Sequence, residues 1–503
     1  MKKSVYNIIL VFFLVFSLFS CDLDRYPDSG IPEHEAMQTP HDAQQVIFGI
    51  YSGLKSGGLY SGTLTLAPDL QCDLAQAVQG YSNAYGELYR WIAKSTNENV
   101  ESVYASLYAI INRCNYFLER VVPLEAKYTS FDDRTTLNKC KADAYFIRAL
   151  AYSDLIRLFA KAYDPATAKD ELGVSIVTSY SETGVKPLRS NLSDSYAQVI
   201  SDLNVSDSLM KRRGYSAPYI TSGAVHALQA RVYLHMQNWE AAAEAATKVI
   251  ESGDYQLQSA FRPAASGLSE FAHMWRFDEG TEVIFRVAMS YTDRGGALGA
   301  AFLGSPQQIN MNQYLPDFVP AQWVLDLYSN KDYRKVVYFQ NQITAYPHGL
   351  AWPLLNKYPG NARIDAEAGG RRMLTNEPKV LRFAEVYLNR AEAYYRMGME
   401  KEANEDLTTL RKTRIESYGV TAAAGDNLFK EIRDERVREL YMEGFRLSDL
   451  KRWGLGFERV PQKSTVDGPN KFKAQSDNPL FTWPIPKHEI DAVQGMQPNE
   501  SND

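Results

Sequence analysis

The stretch Ala227-Leu228-Gln229-Ala230-Arg231-Val232-Tyr233-Leu234, followed by Trp239-Glu240-Ala241-Ala242-Ala243-Glu244-Ala245-Ala246-Thr247-Lys248-Val249, decides the fold. It returns in altered form as Ala391-Glu392-Ala393-Tyr394, then Gly398, Ala403, Leu407 and Leu410. In each copy an alanine precedes a tyrosine by three positions, which puts both on one helix face. A second alanine follows nine residues after the tyrosine, Tyr233 to Ala242 and Tyr394 to Ala403. Small side chains let two helix axes approach, and the ring fills the wedge between them. Residues 137–159 repeat the first half, with Ala149 and Tyr152. Self-similarity of this kind marks stacked helical repeats.

The unit resembles the tetratricopeptide helix–turn–helix. The expected fold is mainly α: tetratricopeptide-like helix pairs near 137–159, 220–252 and 380–412, forming a scaffold within one domain, 41–503. The copies are not in tandem, so long segments bulge from the scaffold. The largest insertion, 255–378, has short-strand character at Glu282-Val283-Ile284-Phe285-Arg286-Val287, which alternates as a strand does. It then breaks into loops at Gly295-Gly296, Pro306, Pro316, Pro320 and Pro359-Gly360. Loops this long in a compact protein are functional or disordered, and their aromatic content argues against disorder. Further helices are predicted near 41–54, with Asp42 as N-cap, and over 99–122. The second carries an apolar stripe of Val103, Leu107, Ile110, Ile111, Cys114 and Leu118, and Pro123 is expected to stop it.

The chain begins Met1-Lys2-Lys3, then runs apolar from Ile8 to Phe19. This is the charge and length pattern of a secretory signal, too short for the ~20 residues of a membrane span. Leu18-Phe19-Ser20-Cys21 resembles the lipobox of bacterial lipoproteins. That resemblance implies removal of residues 1–20, lipidation of Cys21, and a tether over 21–40. With Cys21 lipidated, Cys72, Cys114 and Cys140 remain, an odd number, so no disulfide framework is expected. No Cys-x-x-Cys spacing suggests a metal, and no cofactor motif occurs. Net charge is −6 with no basic tract, which excludes a nucleic-acid backbone as partner. Tyrosine is abundant, 32 residues beside 22 Phe and 7 Trp. Such side chains fill cores and also serve ligands with flat apolar faces and polar edges.

The densest pattern lies at the C-terminal end: Arg433-x-Glu435-Arg436-x-x-Glu439-Leu440-x-x-Glu443-Gly444-x-Arg446, then Asp449-Leu450-x-Arg452-Trp453. Its residues alone read as a salt-bridged helix locking its neighbours, with Asp434–Arg438, Arg446–Asp449 and Asp449–Arg452 as local pairs. The pattern also resembles the signature of the SusD/RagB family of outer-membrane lipoproteins. Four further motifs fall in family order: Leu107-Tyr108-x-x-Ile111-x-x-Cys114-Asn115, Trp275 with Glu282-Val283-Ile284-Phe285, Leu381-Arg382 through Ala393, and Phe481-Thr482-Trp483-Pro484-Ile485-Pro486. The tail departs from the family, with Met496-Gln497-Pro498-Asn499 where Gln-Asn-Pro-Gly-Tyr is common. The resemblance implies a SusD-like, non-enzymatic surface lipoprotein of Bacteroidetes. Such a protein captures oligosaccharides, less often peptides, and passes them to a SusC-like TonB-dependent outer-membrane transporter. Asp22 and Asp24 resemble the acidic export signal of such lipoproteins.

A sugar presents C–H faces and a hydroxyl rim, which suit aromatic platforms with polar neighbours. Two loop-rich stretches have that texture, 69–91 and the insertion. The candidate ligand residues are Asp73, Tyr81, Asn83, Tyr85, Tyr314 and Trp352. Tyr89, Trp91 and Trp323 read as packing residues. Two other functions are weighed. A glycosidase would need paired carboxylates, for which Asp69 and Asp73 are the nearest candidates. A protein-binding scaffold would bind no small molecule.

Overall fold

The computed structural model describes residues 36–182, 187–210, 214–345, 349–466 and 472–502. The leader, Cys21 and the tether up to residue 35 lie outside the described residues. Helix Ser222–His235 pairs with Trp239–Ile250, and Phe383–Arg396 pairs with Glu400–Lys412. The partial copy is helix Phe131–Phe159, and its missing half is Leu192–Met210, which packs along it after a long loop. The copies are apart in sequence and adjacent in space: Trp239–Ile250 lies against Phe383–Arg396. Ala230, Ala242, Ala391 and Ala403 are fully buried, as close axial approach requires. Tyr233 and Tyr394 pack on one small cluster, Leu234, Ala242, Ala243 and Ala393, so the rings join two units as well as wedge each one. Helix Gly425–Leu440 closes the stack against Phe383–Arg396.

Several local expectations change. Thr39, not Asp42, is the N-cap of helix Pro40–Gly53; Asp42 is the third helical residue and completes a capping box, its carboxylate accepting from Thr39 N–H at 2.9 Å. The next long helix runs Glu98–Lys127, through Pro123. A proline removes one donor. Here Val121 and Leu124 are buried on either side of it, and the Tyr128 N–H still donates to Leu124 O at 2.7 Å, so the helix continues a further turn. Of the three ion pairs expected in the signature, Asp449–Arg452 forms at 2.9 Å. Arg438 instead meets Glu435, which also holds the buried Arg334 and Arg411, and Asp434 meets Lys430 one turn earlier on the same helix. Arg446 leaves its own helix and grips Asp73.

The insertion is built on short antiparallel ribbons. Phe339–Ile343 pairs with Ala351–Leu355, and Phe318–Pro320 pairs with Ala75–Ala77 from outside the insertion. Val283–Arg286 pairs with Lys379–Arg382 at the two ends of the insertion, with irregular register. Alternation predicted one buried face for that strand, yet Val283, Ile284 and Phe285 are all fully buried. Val283 faces the insertion's core, with Phe271, Trp275, Phe318 and Tyr338, while Ile284 and Phe285 face the helical core. The strand is the seam between two cores. Among the described residues, no helix is long and apolar enough to cross a membrane.

At this seam lies a buried ionic node. Glu439 meets Arg382 at 2.9 Å and both Arg334 and Arg414 at 3.0 Å. Arg414 and Arg382 also hold Glu282, and Arg334 holds Glu435 and Asp332. Burial would raise the Glu439 carboxyl, but the guanidiniums of Arg414, Arg382 and Arg334 outweigh it and hold it well below the usual carboxylate range. Lys357 and Lys379 sit over the Trp275 ring at 4.6 and 4.5 Å, cations on an aromatic face. Glu282, Arg382, Glu435 and Glu439 of the family-like motifs are thus engaged in buried ion pairs, which gives them a structural role.

Candidate ligand-binding cleft

A cleft of about 830 Å³ opens where the 80–85 loop meets the insertion at 296–308 and 315–317, with Gly57, Ser61 and Asn99 on its remaining side. The 80–85 loop is tightly wound. Gly80, Asn83 and Tyr85 have φ of 76°, 66° and 54°. Asparagine tolerates this left-handed region better than most residues, but tyrosine does not, and such strain concentrates at binding sites. At Gly86 an added Cβ would lie 2.1 Å from Asn83 Oδ1, so a larger residue would displace the Asn83 amide. Two clamps hold the loop in shape. Asp317 accepts from the Ser82 N–H and the Ser82 hydroxyl, both at 2.6 Å. Arg90 Nη1 donates to the Tyr81 hydroxyl at 2.8 Å and to Asn83 Oδ1 at 2.7 Å. Opposite, the Gly296 N–H donates to Ser61 Oγ at 2.9 Å, and a Cβ there would meet Ser61 O at 2.5 Å.

Tyr81, Asn83 and Tyr85 line this cleft. Tyr81 stands edge-on to Phe318 at 5.7 Å. Tyr81, Tyr314 and Trp352 are all half-buried and pack on one apolar cluster of Val78, Leu303, Ile309, Val319, Leu354 and Leu374. The two loop-rich stretches read from sequence therefore converge, and five of the six candidate residues sit in or behind one wall. Burial raises the Tyr85 phenol above its ordinary range, with the Thr63 hydrogen bond opposing, so it stays a neutral hydroxyl.

Asp73 is not part of that wall. It is buried, and both its oxygens take Arg446, at 2.8 and 2.7 Å. Asp69 is likewise structural, accepting the Gly444 and Arg446 N–H groups at 3.0 and 2.7 Å. Burial, against those two hydrogen bonds, pushes its carboxyl up to about 7. Tyr89 and Trp91 are buried as expected; Arg459 stacks on Tyr89 at 3.7 Å and Trp91 packs edge-on to Phe481 at 4.9 Å. Trp323 donates to Asp73 O at 2.8 Å.

Sequence reading missed Arg90, Asn99, Ser305, Gln308 and Asp317. Arg90 stands beside the short helix Gly86–Tyr89 with no pattern to mark it. Ser305 and Gln308 carry a legible signal, since Ser-Pro-x-Gln is a capping box. It forms here, with Gln308 Oε1 accepting from Ser305 N–H at 2.8 Å.

Comparison with known proteins places this architecture. Residues 351–501 match the model of the SusD family, and residues 23–234 match a model described as "Starch-binding associating with outer membrane". SusD-like protein P2 of Formosa agariphila is 25% identical, over 99% of each chain. The starch-binding protein SusD of Bacteroides thetaiotaomicron is 25% identical, over 72% of this chain and 71% of its own. A crystal structure of a SusD superfamily protein from Bacteroides thetaiotaomicron superposes with a TM-score of 0.77 at 26% identity, covering 92% of this chain and all of that one. Two family models match its two ends and relatives of the same kind match along its full length, so the chain is similar to SusD-family proteins over most of its residues.

Proposed function

We propose that the protein binds oligosaccharides in the Tyr81–Asn83–Tyr85 cleft and hands them to a TonB-dependent transporter at the outer membrane, tethered there through a lipid on Cys21. The observation that carries this reading is the cleft wall itself. Rings of Tyr81 and Tyr85, backed by Tyr314 and Trp352, stand beside the amides of Asn83, Asn99 and Gln308. Such a surface offers aromatic faces to C–H faces and amides to hydroxyls. The names of the relatives support it, since one is a starch-binding protein and one family model is described by starch binding. Asp73 is omitted from the binding set, because Arg446 engages both its oxygens.

The mode of action is binding without chemistry. Among the described lining residues Asp317 is the sole carboxylate, and Ser82 occupies both its oxygens. Glycoside hydrolysis needs two carboxyl groups about 5–10 Å apart across the bond, and the cleft offers no such pair. The test is a screen of purified protein against oligosaccharides and peptides by calorimetry. Saturable binding of an oligosaccharide that is recovered intact is expected; hydrolysis, or binding of peptides alone, would overturn the reading. For the anchor, Cys21→Ala is expected to yield a folded, ligand-competent protein in the soluble fraction. Retention of that variant in the membrane fraction would refute the lipid tether.

A further inference from the structure

The lining of the cleft also bears on which oligosaccharides it admits. Charged residues make up 23% of the chain, yet among the described residues that line the cleft Asp317 alone carries a formal charge. The rest are glycine, alanine, leucine, proline, serine, asparagine, glutamine and tyrosine. Two flanking cations, Arg90 and Lys55, are engaged. Arg90 directs Nη1 at the Tyr81 hydroxyl and Asn83 Oδ1, holding the wall from behind. Lys55 is paired with Asp293.

A uronate or sulfate ester entering this cleft would give up water and meet no lining cation. Moving an anion out of water without a partner is costly, and the Asp317 carboxylate adds like-charge repulsion. An uncharged chain meets neither penalty. Its hydroxyls find the amide NH2 groups of Asn83, Asn99 and Gln308 as donors, while the Asn83 and Gln308 oxygens already accept from Arg90 and Ser305, and its ring faces find Tyr81 and Tyr85. Selectivity here comes from what the cleft withholds as much as from what it offers. We propose that the cleft selects uncharged oligosaccharides and rejects polyanionic ones, an inference that rests on the oligosaccharide reading above.

The full-length mature protein is titrated with two sets of oligosaccharides of matched length. One set is neutral (gluco-, manno-, galacto- and xylo-oligomers), the other anionic (oligogalacturonate and sulfated galactan oligomers). At least one neutral oligomer is expected to bind about tenfold or more tightly than every anionic one. Its affinity should stay flat between about 0.02 and 0.5 M salt, since no ion pair is screened. The variant Asn99→Lys adds a lining cation at a half-exposed position. It should raise affinity for the anionic oligomers about threefold or more at low salt, and the gain should vanish at high salt. If the wild type binds anionic oligomers as tightly as neutral ones, the selectivity is overturned while the oligosaccharide reading stands. If it binds neither set, the oligosaccharide reading itself falls, and this inference with it.

Discussion

Around Glu439, three guanidiniums, further carboxylates and a lysine are packed out of water within hydrogen-bonding distance of one another. Around Tyr81, a cleft of about 830 Å³ is lined by neutral groups and glycine backbone, with Asp317 the one charge among the described lining residues. The same chain concentrates charge where nothing enters and withholds it where a ligand would. Buried ions are tolerable only when every partner is present, so the node depends on a fixed arrangement and gives the two cores one register. An open cleft needs no such completeness, and its shape rests on a few clamps such as Asp317 on Ser82. The signature that is densest in sequence therefore marks the lock, and the proposed ligand face carries the plainer residues.

The comparison breaks most readily at the node. Glu439→Gln keeps the shape and removes the charge that Arg334, Arg382 and Arg414 share. It should cost about 3–5 kcal/mol, read as a fall in denaturation midpoint. A loss below about 1 kcal/mol would mean that the seam is held by packing alone. A second test concerns the buried Asp69, which accepts the Gly444 and Arg446 N–H groups. Its folded-state carboxyl sits at about 7, above the ordinary value near 4. The neutral form is thus favoured on folding, and its stabilisation is complete below pH ~4 and lost as pH rises to about 7. Denaturant melts should show stability falling over that window, and Asp69→Asn should flatten the fall. An unchanged slope in the variant would refute this origin. The smallest effect is expected at the exposed Lys430–Asp434 pair, 2.6 Å apart on the outer face of helix Gly425–Leu440. Asp434→Ala should change stability by about 0.5 kcal/mol or less, and a loss above about 1 kcal/mol would show that charge matters outside the node as well.

Much of the scaffold was legible because its rule is local. Ala230–Tyr233 and Ala391–Tyr394 announce a helix face by spacing alone, and their partners follow within a turn. The ion pairs were less so. Arg446 has Asp449 at helical distance, yet it reaches Asp73, far away in sequence, since tertiary contact sets the choice among several acceptors. Pro123 misled for the same reason: its effect on the helix end was outweighed by burial of Val121 and Leu124. The cleft was half legible. Tyr81, Tyr85, Tyr314 and Trp352 stood out as aromatics among loop residues, and folding brings their two stretches together through the pairing of Ala75–Ala77 with Phe318–Pro320. Arg90, Asn99 and Asp317 have no local pattern, because their roles arise only once the loops meet. Asp73 failed as a candidate because a carboxylate in an aromatic stretch looks the same whether it faces ligand or a buried arginine.

The aromatic wall is the proposed seat of the ligand. The variant Tyr81→Ala/Tyr85→Ala/Tyr314→Ala/Trp352→Ala is titrated calorimetrically with the oligosaccharide the wild type binds best, alongside Tyr81→Ala alone. A circular-dichroism melt of each variant serves as the check on folding. A loss of about 1–3 kcal/mol per removed platform is expected, by analogy with nucleobases stacked on aromatic side chains. The single variant should therefore lose about fivefold or more in affinity, and the quadruple variant should give no measurable heat while still melting cooperatively. Wild-type affinity in a cooperatively folded Tyr81→Ala and quadruple variant would contradict the account.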